Sequence, residues 1–147
     1  MNIINEMKLL FDSRSANEAF ARSSVAGFVV QLDPTIAELS DIKTAVSEAV
    51  TNAIVHGYSN TIGTVTIKVQ ITDTNIVIIQ VKDKGVGIEN IQQAMEPMFT
   101  TGGSERAGLG FAVMQSFMDK IKVVSKPGKG TTVTMEKYIM PKISVKS

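Results

Sequence analysis

Residues 3–11, entered and left through polar residues, predict a first strand. Ser15-Ala16-Asn17-Glu18 then has the form of a capping box, a hydroxyl and a carboxylate placed to satisfy free amides, and predicts a helix reaching about Gln31. A second box, Thr35-Ile36-Ala37-Glu38, follows Pro34. It opens a helix in which Ile42, Val46, Ala49 and Ala53 fall at the spacing of one buried stripe, with Gly57 as a C-terminal stop. Val65, Ile67, Val69 and Ile71 alternate with polar neighbours, and after the turn Asp73-Thr74-Asn75 comes the apolar run Ile76 to Val81, so the pair reads as a hairpin. A short helix near Ile91 to Met95, a glycine-rich segment and a helix over about Leu109 to Met118 follow. Lys120 to Ser125 and Thr131 to Tyr138 close a last hairpin around Pro127-Gly128-Lys129-Gly130, and the residues from Pro141 read as a frayed tail.

Helices therefore cluster in the first half and the middle, while strands pair through short hairpins. The expected fold is α+β: a two-layer sandwich of a mostly antiparallel sheet with helices on one face. No internal repeat or linker divides residues 1–147, so one domain is expected.

Composition narrows the function classes. Lys plus Arg number 15 against 14 Asp plus Glu, a net charge of +1, without the basic excess of a chain devoted to nucleic acid. The absence of cysteine removes disulfides, thiolate metal sites and cysteine catalysis. Met1 to Glu6 lacks the basic and apolar segments of a secretory signal. Apolar runs such as Val25 to Val30 fall far short of the ~20 residues that cross a bilayer. A soluble cytoplasmic protein is the expectation.

Three short patches carry the chemistry. Glu48, Asn52 and His56 lie four residues apart, on one side of the second helix. Asn52 offers a neutral oxygen suited to Mg2+, and Glu48 a carboxylate able to take a proton from a hydroxyl; a solvated polar stripe accounts for the same triplet equally well. His56, the single histidine, fits a cap or a packed imidazole better than a zinc ligand. Asp83-Lys84-Gly85-Val86-Gly87 places a carboxylate just after a strand, able to accept the exocyclic amine of adenine, with Gly85 and Gly87 permitting close backbone approach. An ordinary Asp-x-Gly turn is the plainer reading of that patch alone. Gly108-Leu109-Gly110 would put bare amides at a helix start, where phosphate binds, in neither the Walker nor the Rossmann pattern. Between Pro97 and Gly108 lies a polar, glycine-bearing segment, either a lid or a surface loop, from which Arg106 could reach a phosphate.

In this order the patches resemble the GHKL superfamily of ATP-binding domains. Glu48-Ala49-Val50-Thr51-Asn52-Ala53 is similar to its N box, Asp83-Lys84-Gly85-Val86-Gly87 to its G1 box and Gly108-Leu109-Gly110 to its G2 box. Gly130-Thr131-Thr132 resembles the last box, whose threonine, here Thr131, helps Asp83 hold adenine. Ser47 to Tyr58, Pro97-Met98-Phe99-Thr100-Thr101 and Glu105 to Phe111 look like the bacterial anti-sigma factor serine kinases of the sporulation type, and the resemblance runs from about Asn5 to Tyr138.

That resemblance implies the Bergerat fold, binding of ATP or ADP with Mg2+, and a homodimer. It implies a sporulation-type sigma factor as partner, with Arg22 among the partner contacts, and phosphorylation of a serine on an anti-anti-sigma protein. Glu48 is the implied catalytic base and Asn52 the magnesium ligand. Asp83, Gly85, Gly87, Thr100, Thr101, Arg106, Gly108, Gly110 and Thr131 are the remaining implied nucleotide contacts. The rival readings are an ATPase in which Glu48 activates water, and a sequestering module without catalysis.

Overall fold

The structure is a computed structural model that describes residues 1–88 and 104–142, with 104–109 described by their backbone only. In chain order the elements are β1 (Ile3–Asp12), α1 (Asn17–Val29), α2 (Ile36–Asn52), β2 (Thr64–Thr72), β3 (Ile76–Asp83), α3 (Ser104–Phe117), β4 (Lys120–Lys126) and β5 (Gly130–Tyr138). The strands form one sheet in the order β1-β2-β3-β5-β4, with every neighbouring pair antiparallel.

The alternation in the sequence decides which face is covered. Val65, Ile67, Val69, Val77, Ile79, Val81, Val133 and Met135 point inward and are buried against Val25 and Val29 of α1, Ile42, Val46 and Val50 of α2, and Phe111 and Met114 of α3. Their partners along each strand, among them Lys8, Thr66, Lys68 and Lys82, remain at least partly solvated. This is the α+β two-layer sandwich with helices on one face.

Thr35 caps α2 as the sequence predicts: its hydroxyl accepts the Glu38 N–H at 3.0 Å, and Glu38 accepts the Thr35 N–H at 2.8 Å. The expected box at Ser15 does not form. Ala16 occupies the cap position without a side-chain bond. The Glu18 carboxylate instead accepts the Ser47 hydroxyl on α2 and lies 3.8 Å from Arg22. An interhelical partner has displaced a local one, and α1 ends at Val29, with a 3-10 turn covering Val30–Leu32.

Two other boundaries differ from the sequence reading. Helix α3 begins at Ser104, five residues before Leu109, so Gly108 and Gly110 lie inside the helix and past the free amides of its first turn. The tail does not fray at Pro141. Glu38 accepts the Met140 N–H at 3.0 Å and the Lys142 ammonium at 2.9 Å, tying residues 140–142 to the start of α2. Residues 143–147 and the short helix expected near Ile91 to Met95 lie outside the described residues.

Burial opposes ionisation of Glu38, but the Thr35 and Met140 amides and Lys142 outweigh it and bring the pKa from 4.5 down to about 2. A lowered carboxylate pKa contributes stability that is complete above 4.5 and disappears as pH falls toward about 2. Glu38→Gln is therefore expected to lower stability by about 1 kcal/mol at neutral pH, the group being partly exposed. In urea denaturation the gap from the unaltered chain should close as the pH approaches 2.

Candidate functional site

The last turn of α2 sets the geometry. Regular helix stops at Asn52, and Ala53–Gly57 continue as a π turn in which the Tyr58 N–H bonds the Ala53 carbonyl at 3.1 Å. Glu48 and Asn52 keep the one-turn spacing read from the sequence, whereas His56 falls on the widened turn. Gly57 does end this segment, but it does not adopt the left-handed conformation of a glycine cap. Its bareness serves another purpose: a Cβ there would lie 2.8 Å from the Asp83 carboxyl carbon.

Asp83, the last residue of β3, is 6% exposed. Its Oδ1 accepts the Gly85 N–H at 2.9 Å, and the Thr131 backbone N–H also donates to the carboxylate from β5. Burial nevertheless prevails over these two bonds and raises its pKa above the ordinary 3.8. The sheet holds Asp83 directly opposite Thr131.

The loop after Asp83 is fixed on both sides. A Cβ at Gly85 would stand 1.9 Å from the Gly57 carbonyl oxygen, so this contact requires glycine, and the same carbonyl accepts the Val86 N–H at 3.0 Å. Gly87 has φ +77, open to glycine above other residues. On the far side, the Val86 carbonyl accepts the Gly128 N–H at 2.7 Å. The Ser125 hydroxyl accepts the Ile88 N–H at 2.8 Å and shares a hydrogen bond with the Thr131 hydroxyl at 2.7 Å.

These elements enclose one pocket. Ala49, Asn52, Ala53, His56 and Gly57 form one wall, Val81, Asp83, Thr131 and Val133 the floor, and Gly87, Ile88 and Phe111 the remainder. Apolar walls with one buried carboxylate suit a flat heteroaromatic ring that presents an amine. At the pocket's edge Gly110 faces both α2 side chains: a Cβ there would lie 3.0 Å from Asn52 Nδ2 and 3.1 Å from Glu48 Oε2. Asn52 Nδ2 is buried without a hydrogen-bond partner among the described residues, although buried polar groups are nearly always paired. The orphaned amide and bare helix surface are what a polar group seated here would satisfy, and the carboxamide oxygen is a hard donor acceptable to Mg2+. No group of three or more His, Cys, Asp or Glu side chains suited to hold a metal occurs among the described residues.

Of the residues singled out from the sequence, Asn52, Asp83, Gly87 and Thr131 line this single pocket. Gly85 supports it from behind, and Glu48 and Gly110 stand at its edge. Thr100 and Thr101 lie outside the described residues, as does the side chain of Arg106; the backbone of Arg106 and Gly108 belongs to α3. The sequence reading missed Gly57 as a spacer for Asp83, Ser125 as the link between Ile88 and Thr131, and the apolar walls Val81, Ile88, Phe111 and Val133. No local signal marks Ser125 as a link, because Thr131 is its neighbour across the hairpin but Ile88 comes from a distant segment.

Gly110→Ala is expected to leave the melting temperature unchanged or higher, since alanine favours a helix interior by about 1 kcal/mol over glycine. The same methyl crowds Asn52 and Glu48. Calorimetry with a nucleotide should find binding weakened by about ten-fold, at the cost of a group displaced from its donors.

Comparison with known proteins agrees with this geometry. The sequence profile of the histidine kinase-like ATPase domain matches residues 11–137. The chain belongs to that family, the GHKL-like ATPase domains, for which nucleotide binding is implied.

Within the family its similarity is to proteins named anti-sigma F factor. One from Thermoanaerobacter pseudethanolicus is 60% identical over 140 residues, spanning 95% of this chain and 97% of that protein. Another from Geobacillus thermodenitrificans is 58% identical, spanning 92% of this chain and 93% of its own, and one from Clostridium acetobutylicum is 56% identical, spanning 90% and 93%. The fold also matches the crystal structure of the RsbU and RsbW domains of a Mycobacterium tuberculosis protein, with a TM-score of 0.67 and 17% identity, over 92% of this chain and 32% of that longer one. No helix among the described residues is long and apolar enough to cross a membrane.

Proposed function

We propose that this chain is an anti-sigma factor of the sporulation sigma F type that uses Mg-ATP to phosphorylate a serine of an anti-anti-sigma protein. The observation that carries the reading is the convergence of Glu48 and Asn52 on Gly110, beside the pocket that Asp83 floors. It is supported by relatives named anti-sigma F factor across nearly the whole chain. We assign the chain as a single cytoplasmic domain acting as a homodimer, with protein partners and no direct contact to nucleic acid.

The chemistry follows from the residues. Asp83 accepts the exocyclic amine of adenine, Thr131 lies beside it, and Gly87 lines the base pocket while Gly85, implied as a contact by the resemblance, seats the loop on the Gly57 carbonyl behind it. Asn52 would hold Mg2+, which supplies charge neutralisation on the phosphates. Arg106, Thr100 and Thr101 are assigned to the phosphate tail on the resemblance, and Gly108 and Gly110, which lie inside α3, leave the helix surface bare beside it instead of offering free amides. Glu48 also lines an open groove with Arg22, Lys43, Thr44 and Ser47, so it has solvent-side access as well as its neighbour Asn52. A serine hydroxyl arriving along that groove gives its proton to Glu48 as its oxygen bonds the γ-phosphorus and the bond to ADP breaks. Positioning and charge neutralisation dominate such transfers.

Incubation with γ-labelled ATP and a small anti-anti-sigma partner tests the proposal. Label on a partner serine is expected. Nucleotide binding and sigma capture without transfer of label would leave the sequestering module in its place.

A further inference from the structure

Tyr58 follows the π turn and has no part in the transfer proposed above. Its ring packs on the rim of the core and lies over Gly63, where a Cβ would come within 2.2 Å of a ring carbon. The ring can occupy this position only because residue 63 has no side chain. The phenol then makes two bonds to segments far apart in sequence. It donates to the Thr64 carbonyl at 2.9 Å and accepts the Lys84 N–H at 2.7 Å. Lys84 is the residue immediately after Asp83, and Thr64 is the first of β2.

The neighbouring bond makes the arrangement specific. The Gly57 carbonyl accepts the Val86 N–H at 3.0 Å, so the loop from Lys84 to Val86 hangs from the π turn at two points. Gly57 supplies main chain, which any residue offers; Tyr58 supplies a hydroxyl, which phenylalanine would not. Between the two points the Gly85 N–H donates to Asp83 Oδ1. The peptide that aims the Asp83 carboxylate is thus held by the phenol at one end and the Gly57 carbonyl at the other.

We infer that Tyr58 is a positioning residue for the base end of the pocket: its hydroxyl fixes the Lys84 amide and thereby the turn that orients Asp83. The inference rests on the reading of this pocket as an adenine nucleotide site. Because the two hydrogen bonds of the phenol go to Thr64 and to Lys84 beside Asp83, and neither goes to Asn52 or Gly110, its loss should affect every adenine nucleotide alike, whatever the length of its phosphate tail.

Tyr58→Phe keeps the ring over Gly63 and removes one oxygen. Calorimetry with ADP and with Mg-ATP is expected to give roughly ten-fold weaker binding of both, by the same factor, as the Lys84 amide loses its acceptor. Residue-resolved amide exchange should quicken at Lys84 and Gly85 and stay unchanged in the paired amides of β2 and β3. Gly63→Ala, which pushes the ring aside with its hydroxyl intact, should produce the same equal loss. Unchanged affinities, a loss confined to ATP, or faster exchange throughout the sheet would overturn the inference. Asp83→Asn separates the two levels. If it abolishes binding while Tyr58→Phe binds normally, the pocket reading stands and the Tyr58 inference falls. If the unaltered chain binds neither nucleotide, both fall.

Discussion

Asp83→Asn should bind ATP and ADP about 100-fold more weakly than the unaltered chain while melting no lower than it does. The carboxylate already accepts the Gly85 and Thr131 amides. An exocyclic amine needs a further acceptor, and a carboxamide with a single oxygen cannot serve all three donors. The stability half follows from the raised pKa. A carboxylate pushed above 3.8 by burial favours the folded state while protonated, and that contribution is lost as pH rises through the folded-state value. At neutral pH the apo protein therefore carries a desolvated charge that Asn does not have. Thermal melts should show the two proteins converging below pH 3.8, where Asp83 is neutral as well. Nucleotide affinity of the unaltered chain should fall on acidification from above the ordinary aspartate range, and that of the Asn variant should not. A fully retained affinity in Asp83→Asn would move the base to another place.

Glu48→Gln should separate binding from chemistry. The substitution keeps the shape of the side chain against Gly110 and removes its capacity to take a proton. General-base groups contribute roughly 10²- to 10⁴-fold in rate, so transfer to the partner serine should fall within that range while ATP affinity shifts by no more than about two-fold. Single-turnover measurement of label on serine, beside calorimetry of ATP binding, tells the outcomes apart. Normal transfer removes Glu48 from the mechanism. Weakened binding with a normal rate would make it a ligand contact.

What the sequence revealed, and what it hid, divides by the range of the interactions involved. The β2–β3 and β4–β5 hairpins were legible because alternation and turn residues are local, and Asn75 adopts φ 63 where the turn was read. Helix α2 was legible because Thr35 and Glu38 bond each other's amides, and the Met140 and Lys142 contacts to Glu38 add to the box without displacing it. The same motif at Ser15 failed because Ser47, 29 residues away, draws Glu18 across to α2. The start of α3 was misplaced because two glycines argue against helix locally. Phe111 and Met114 are fully packed on the core, and Gly110 must be bare to clear Asn52 and Glu48. In the site, the acid and the two α2 side chains were visible as residue types at a spacing. The π turn, Tyr58 and Ser125 were not, since each acts through partners supplied by folding.

The most direct measurement is a titration of the isotopically labelled chain with ADP, followed by the amide resonances of Gly57, Lys84 to Ile88, Phe111 and Thr131. These should shift together with a single affinity, while those of β1 and the outer strand β4 up to Ser125 stay in place. Shifts centred on the exposed face of the sheet, or none at all with the protein folded, would contradict an adenine site built on Asp83.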